Sequence, residues 1–247
     1  MQLQIAAHTI EAPDLHEAHA AELPVVFANA AVTALTDFHA AKVSIEADAH
    51  LSPVGKAAKL EPLAAAALAQ VFHSLEAVEA ERERINRNEA ELLSTGAPET
   101  ANQVQRDAEI RAWWAMLSAK ERNRLLTEAE ASPELGEFVR AVLRSPIPTP
   151  LDPAKQHLQE LHNRIRRLEN PEAAHAIAIG RDLIGWADHV LTHATAIARS
   201  ATGKAPEQMA RAAIQAGRER MAKKLFGVPL VEKVKAVLAA EQRRKAG

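Results

Sequence analysis

Mostly apolar side chains recur at alternating steps of four and three from Val71 to Leu92, and this spacing strongly constrains the fold. The set is Val71, Leu75, Val78, Arg82, Ile85, Glu89 and Leu92. The spacing is a heptad seam, which keeps one stripe of a long α-helix against a neighbouring helix. Polar residues at seam positions, here Arg82 and Glu89, lower stability while they fix register and oligomer state. We predict that the seam is an interface, within the chain or between chains, and that Arg82→Leu raises the melting temperature and loosens the choice of partner.

The helix that carries this seam should be the longest element of the chain. Ser52-Pro53 provides an N-cap followed by proline at the first helical position, where the missing N–H does no harm. Pro62 should kink or restart the helix, because it cannot donate to the preceding turn. From Pro62 to Leu93 the helix would span roughly 45 Å, longer than a compact domain of this size needs. Gly96 and Pro98 mark the break that follows.

The other helix-start signals in the sequence also favour helices. The pairs Ser132-Pro133 and Asp152-Pro153 repeat the cap-then-proline start, and Ser118 with Glu121 has the spacing of a capping box. Ala supplies 53 of the 247 residues, aromatic residues are 3%, and Tyr and Cys are absent. This is too little strand-forming material for a sandwich, a barrel or a doubly wound sheet. We therefore predict an all-α fold: an elongated helical bundle with a long coiled-coil-like helix and a thin, Ala-rich core.

The proline and glycine pattern predicts the domain organisation. The opening Met1 to Ile10 alternates only partly and is too short to form a sheet alone, so we interpret it as an extended arm. Three prolines fall between Ser145 and Pro150, which forces an extended linker. The predicted parts are an arm and helix at 1–50, the long helix with short helical pieces at 51–145, the linker at 146–152, and a C-terminal helical region with a basic end at 153–247.

Charge is unevenly distributed along the chain. Residues 1–50 carry a net charge of −6 and residues 204–247 a net charge of +7. Either the two ends pair with each other or with neighbouring copies, or the basic end meets phosphate or an acidic protein surface. The candidate contact residues on a predicted basic helix from Pro206 to Phe226 are Arg211, Arg218, Arg220, Lys223 and Lys224. No nucleic-acid-binding motif accompanies them, so non-specific phosphate contact stays open and sequence-specific recognition is not expected.

Motifs for catalysis are missing from the sequence. The common nucleotide-binding and hydrolase fingerprints are absent, and the lack of Cys removes thiolate nucleophiles, disulfides and Cys-built zinc sites. The acidic side chains Glu76, Glu79 and Glu83 have the spacing of a solvated helix face. An enzyme is therefore the least supported class, and we expect no catalytic residue and no cofactor.

Histidines raise the separate question of a metal site. His189 and His193 lie at i, i+4, and Glu172 with His175 forms a Glu-x-x-His pair, which is a pattern of bundle metal sites. Zinc and di-iron sites need three or four ligands that converge from more than one helix. The same residues also suit a solvated helix face, and we predict no stoichiometric metal.

Adjacent tryptophans mark a further candidate contact. Trp113 and Trp114 point about 100° apart on a helix, so one should be core and the other can meet a partner surface. The alternative is that both fill a gap in an Ala-rich core. Elsewhere, no basic start with an apolar run opens the chain and no apolar stretch reaches about 18 residues. We therefore expect neither a signal peptide nor a membrane span.

Two stretches carry a family resemblance. One is Leu51-Ser-Pro-Val-Gly-Lys-Ala-Ala-Lys-Leu60, which leads into the long helix; the other runs from Glu121 through Ser132-Pro-Glu-Leu135 and Phe138-Val-Arg-Ala-Val-Leu-Arg-Ser-Pro146 to Leu151. With Glu169-Asn-Pro-Glu172 downstream, the chain resembles uncharacterised helical proteins encoded among the virion structural genes of tailed bacteriophages and prophages. These motifs are helix punctuation rather than chemistry, so the resemblance carries over no catalytic residue.

The resemblance implies a role in the virion. It would make the chain a non-enzymatic neck, ejection or other assembly protein, with copies of itself or other virion proteins as partners. Its location would be the virion, and the host cytoplasm during assembly. The alternative is a cellular helical adaptor, or a non-specific nucleic-acid-associated protein that uses the basic C-terminal helices.

Overall fold

A computed structural model describes residues 2–5, 8–131, 135–144, 153–203, 205–215 and 217–246 of the chain. Over these residues the regular secondary structure is helical apart from one small two-stranded sheet, which confirms the predicted all-α class. The helices are α1 Leu23–Ala47, α2 Pro53–Leu92, α3 Ala101–Met116, α4 Ala119–Ala131, α5 Gly136–Leu143, α6 Pro153–Glu169, α7 Pro171–Thr202, α8 Pro206–Gln215, α9 Glu219–Phe226 and α10 Val228–Ala246.

Side-chain caps set several helix starts. Ser52 Oγ accepts a hydrogen bond from Gly55 N at 3.1 Å, which satisfies one of the free donors at the start of α2. Ser118 and Glu121 form the predicted capping box, since Glu121 Oε2 accepts from Ser118 N at 2.9 Å and Ser118 Oγ accepts from Glu121 N at 3.3 Å. The helix α2 runs through Pro62 without a restart. The predicted caps at Ser132-Pro133 and Asp152 lie outside the described residues.

The predicted single basic helix over 206–226 is wrong, because the chain forms two helices there. Gly217 adopts a left-handed backbone with φ of +76°, a conformation that glycine reaches without steric cost. Gly217 N donates to Ile214 O at 3.0 Å and Arg218 N donates to Ala213 O at 2.8 Å. This is a Schellman motif, which ends α8 and re-aims the chain before α9.

The first residues form a β-hairpin rather than an extended arm. Strands β1 (Gln2–Ile5) and β2 (His8–Glu11) pair antiparallel, with Leu3 opposite Ile10. Ile5 and Ile10 are buried on the face that packs towards α1. The partial alternation in the sequence therefore reflects a short sheet that a helix stabilises, as two isolated strands would be marginal.

The described chain divides into two compact units. Unit 1 comprises Met1–Arg84 and Gly180–Gly247, and unit 2 comprises Ile85–Ile179. In unit 1 the buried side chains come from the hairpin, α1, α2, α7 and the C-terminal helices, and many of them are Ala. Such small residues let helices approach closely while burying little large apolar surface.

The core of unit 2 explains why the observed division differs from the predicted boundary at 146–152. Side chains from α3, α4, α5 and α6 form one cluster, made of Trp114, Leu126, Val139, Leu158, Leu161 and Ile165. Helices on both sides of the proline-rich stretch therefore share a single core. The stretch itself lies outside the described residues, and it connects parts of one unit rather than two domains.

Candidate interaction surfaces

The heptad seam of α2 faces the interior of the protein. Val71, Val78, Ile85 and Leu92 are buried, and Leu75 is half-buried. The seam thus contributes to cores of the chain itself. Whether it also meets a second copy stays a prediction.

Both polar seam residues have partners in the same chain. Arg82 Nη2 donates to Asp188 Oδ1 of α7 at 2.6 Å within unit 1, and Arg82 Nη1 lies 3.2 Å from Glu79 Oε2. Within unit 2, Arg167 Nη2 of α6 donates to Glu89 Oε1 at 3.3 Å. Ion pairs between defined residues fix one register of packed helices better than apolar contacts do. The two polar positions therefore set the register of α2 against α7 and α6.

The C-terminal end of α2 is capped by side chains of α6. His162 Nε2 lies 3.0 Å from Leu93 O, and Arg166 Nε donates to Leu92 O at 3.0 Å. These carbonyls have no partner within the helix. Burial lowers the pKa of His162 below its ordinary value of 6.5, and the nearby Arg140 and Arg166 lower it further, outweighing the hydrogen bond to Leu93 O.

A buried ion network lies in unit 2. Arg144 Nη1 donates to Asp107 Oδ2 at 3.0 Å, and both side chains are almost fully buried. Arg144 also donates to Glu137 Oε1 at 2.9 Å and to Thr95 O at 2.9 Å. Burial alone would raise the pKa of Glu137, but hydrogen bonds from Arg140 and Arg144 outweigh it and lower that pKa. The network ties α3 to α5 and holds every charge beside a counter-charge.

Trp113 and Trp114 differ in their surroundings. Trp114 is 5% exposed and belongs to the core of unit 2, whereas Trp113 is 43% exposed. Phe138 contacts both rings edge-on, with centroid distances of 5.6 and 5.7 Å. Met116, three residues further along α3, is 78% exposed. Trp113 and Met116 form what we call the α3 patch, an apolar surface that Phe138 connects to the core.

Each predicted phosphate-contact residue has a carboxylate partner in unit 1. Arg211 Nη1 donates to Glu241 Oε1 at 3.0 Å within the C-terminal helices. Lys223 Nζ lies 2.7 Å from Glu219 Oε1. The other three bases reach α2: Lys224 Nζ donates to Glu79 Oε2 at 2.6 Å, Arg218 pairs with Glu76, and Arg220 pairs with Glu83. The hydrogen bond from Lys224 lowers the pKa of Glu79.

These ion pairs identify which acids the basic end contacts. The carboxylates lie in α2 and in the C-terminal helices, rather than among residues 1–50. The acidic face of α2 that the sequence suggested would be solvated instead lines one side of a groove of 480 Å³, with α9 on the other side. Within unit 1, positive charge on α9 is therefore neutralised by the chain's own acids.

Histidines named as metal candidates lie apart from any ligand cluster. His189 and His193 contact each other with ring centroids 4.7 Å apart, and His189 Nε2 lies 2.7 Å from Glu11 O. Glu172 and His175 are exposed. Over the ranges that the structure describes, no group of three or more His, Asp or Glu side chains could hold a metal ion. The absence of a metal stays a prediction.

Among the described helices, α1 alone is long and apolar enough, by length and composition, to cross a membrane. The same test is passed by core helices and by signal sequences near an N-terminus. In the structure α1 buries Val25, Leu35 and Phe38, while Val26 and Val43 are exposed.

Comparisons with known proteins identify no relative of the chain. No family model, no curated protein and no solved structure matches the chain.

Proposed function

We propose that the protein is a non-enzymatic structural or accessory component of a bacteriophage virion, which acts through helix-mediated contacts with other proteins. The virion location is what the resemblance in helix punctuation implies. The assembly role is supported by one observation above the others, the α3 patch. Trp is among the residues most enriched at the energetic centres of protein interfaces, and Met adapts to varied partner surfaces.

The geometry of the α3 patch supports a docking role. Trp113 packs edge-on against Phe138, which restricts its ring before any partner arrives. A restricted aromatic side chain loses little conformational freedom on binding, and this improves affinity. The chain therefore presents a pre-ordered apolar contact on the surface of unit 2.

The alternative of a nucleic-acid-associated protein receives less support. An electrostatic footprint for phosphate requires unpaired cations on one face. Arg211, Arg218, Arg220, Lys223 and Lys224 each contact a carboxylate in unit 1. Phosphate would have to displace those carboxylates first.

Mass spectrometry of purified particles tests the proposed function. We expect the protein in fixed copy number in particles from the source phage or induced prophage. Trp113→Ser should remove it from particles while the purified chain stays folded. Val104→Ser is the matched control, because Val104 is a 49% exposed apolar residue of α3 on the side of the helix away from Trp113. Absence of the wild-type protein from particles would overturn the virion proposal.

A further inference from the structure

The helices α8, α9 and α10 pack chiefly on one another, and we call residues 205–246 the C-terminal segment. Their extensive helix contacts are all with each other. Met209, Met221, Val231 and Val234 are buried side chains of these helices. Ion pairs within the segment, such as Lys235 Nζ to Glu219 Oε1 at 2.9 Å, add to this. The segment therefore has extensive internal contacts of its own.

The contact between this segment and α2 includes a match of opposite charges. Glu76, Glu79 and Glu83 follow at steps of three and four, which places them on one face of α2. We call this the acidic face. Each of its carboxylates meets one base of the segment: Arg218, Lys224 and Arg220 respectively. The bases on the segment thus complement the charge of the acidic face.

Apolar side chains also meet across the same contact. An edge-on contact joins Phe72 to Phe226, with centroids 6.3 Å apart. Open grooves of 480 and 640 Å³ separate α2 from α9 and from α8. Two of the bases remain solvated, since the side chains of Arg220 and Lys224 are 69% and 52% exposed. Exposed ion pairs of this kind are weak individually and open readily.

The connection to the rest of unit 1 is short. The helix α7 ends at Thr202 and α8 begins at Pro206, and Lys42 Nζ of α1 donates to Ala201 O at 2.9 Å, which anchors the last turn of α7. Gly203 follows with φ of +62°, and an added Cβ there would meet no atom within 4 Å. A change of backbone angles at this connection can redirect the segment without a clash at Gly203.

We propose that the C-terminal segment of one copy docks on the acidic face of α2 in a second copy, so that copies of the chain exchange this segment. A surface complementary to its own chain is equally complementary to another copy, and exchange of identical elements is a low-cost route to assembly. The connection after Thr202 supplies the point at which the chain opens. The inference deepens the proposed function by naming a second copy as a partner. It rests on that function in one respect, which is that assembly brings copies of the chain together.

A pair of charge-reversal variants tests the exchange. The first variant carries Arg218→Glu, Arg220→Glu and Lys224→Glu, and the second carries Glu76→Arg, Glu79→Arg and Glu83→Arg. In each variant the α2 face and the C-terminal segment carry the same charge and repel each other. The acidic face of the first variant attracts the basic segment of the second, and the basic face of the second attracts the acidic segment of the first. We expect each variant alone to be monomeric by light scattering, and an equimolar mixture to form a one-to-one complex. A chain with all six substitutions should return to the wild-type association state.

A matched control separates exchange from general charge attraction. The control variant carries Glu91→Arg, Glu99→Arg and Glu109→Arg, which alter net charge equally at exposed positions that do not belong to the acidic face. Mixed with the first variant, it should form at least about tenfold less complex than the designed pair, since only the designed pair restores both docking surfaces. Equal complex formation by both mixtures, or by neither, would overturn the proposal.

A second measurement avoids charge reversal, in case those variants fail to fold. The chain contains no Cys, so Glu79→Cys in one copy and Lys224→Cys in another provide a unique pair. We expect a short bismaleimide cross-linker, whose span replaces that of the lost Lys and Glu side chains, to link the two copies in the concentrated mixture. Linkage no greater than that of Glu99→Cys mixed with Lys224→Cys would overturn the exchange. Absence of the protein from particles would overturn only the virion proposal and leave this outcome unchanged.

Discussion

Arg144 Nη1 lies 3.0 Å from Asp107 Oδ2 in the interior of unit 2, and the two side chains are only 7% and 3% exposed. Thirty-seven positions separate them in the chain, and the pair joins α5 to α3. A buried charge is tolerated only beside a counter-charge and hydrogen-bonding partners. The stability of unit 2 therefore depends on both members being present.

Replacing one member of this pair should be strongly destabilising. We expect Asp107→Leu to lower the free energy of unfolding by about 3 kcal/mol, because Arg144 remains buried with fewer partners. Chemical denaturation is the measurement. Glu109→Leu, an exposed acid on the same helix, should change stability much less. The double change Asp107→Leu with Arg144→Met should recover part of the loss, and a double variant less stable than Asp107→Leu would contradict this account.

His162 should make stability depend on pH. Its pKa is lowered in the folded protein, so the unfolded chain binds the proton more readily. The stabilising contribution is then fully present above the ordinary pKa of about 6.5 and is lost as pH falls through the lower folded value.

The check is the free energy of unfolding measured between about pH 5 and pH 8. His162→Asn should flatten the acid side of that profile, whatever its effect on stability at neutral pH. His157→Asn is the control, since His157 is exposed on the same helix. Parallel profiles for His162→Asn and the wild type would refute the role of His162.

Arg82→Leu should raise the melting temperature. Arg82 lies between buried seam residues Val78 and Ile85, so a leucine there extends the apolar stripe. The lost pair with Asp188 is partly exposed and contributes little in water. We expect a gain of about 1 kcal/mol, or ~2–4 °C for a chain of this size, in calorimetry. Arg84→Leu, off the seam and paired with Glu81, should give no gain; a fall in melting temperature for Arg82→Leu would contradict the prediction.

The adjacent tryptophans should respond differently to truncation. Trp114→Ala removes a core side chain and should cost about 3–5 kcal/mol. Trp113→Ala should cost about 1 kcal/mol, because almost half of that side chain already meets solvent. Urea denaturation monitored by circular dichroism distinguishes them. Similar losses for the two variants would show that both rings are core residues.

Much of the helical architecture could be predicted from local chemistry. The cap at Ser52 and the capping box at Ser118 act over a few residues, so their sequence signals lie close together in the chain. The same local reasoning failed at Gly217. A single glycine inside a helical pattern is often tolerated, so Gly217 does not by itself predict a helix end. The hydrogen bonds to Ala213 O and Ile214 O in the structure are what identify the end of α8.

Long-range partnerships could not be predicted. The sequence indicated that Arg82 and Glu89 are exceptional, but the spacing does not identify Asp188 or Arg167 as their partners. The buried residues Asp107 and His162 gave no signal, since each is one of many polar residues on an amphipathic helix. Their roles arise from tertiary packing, which brings residues 37 and 69 positions apart into contact.

The discontinuity of unit 1 has a consequence for biosynthesis. Its first part ends at Arg84 and its second begins at Gly180, with all of unit 2 between them. Because a ribosome releases the chain from the N-terminus, unit 2 is complete before unit 1 has received its second part, and domains generally fold as units in that order. Until then Leu68, Val71 and Phe72 lack the α7 and C-terminal helices of their unit. These apolar side chains of the nascent chain are therefore open to wrong association until the last quarter of the chain has been made.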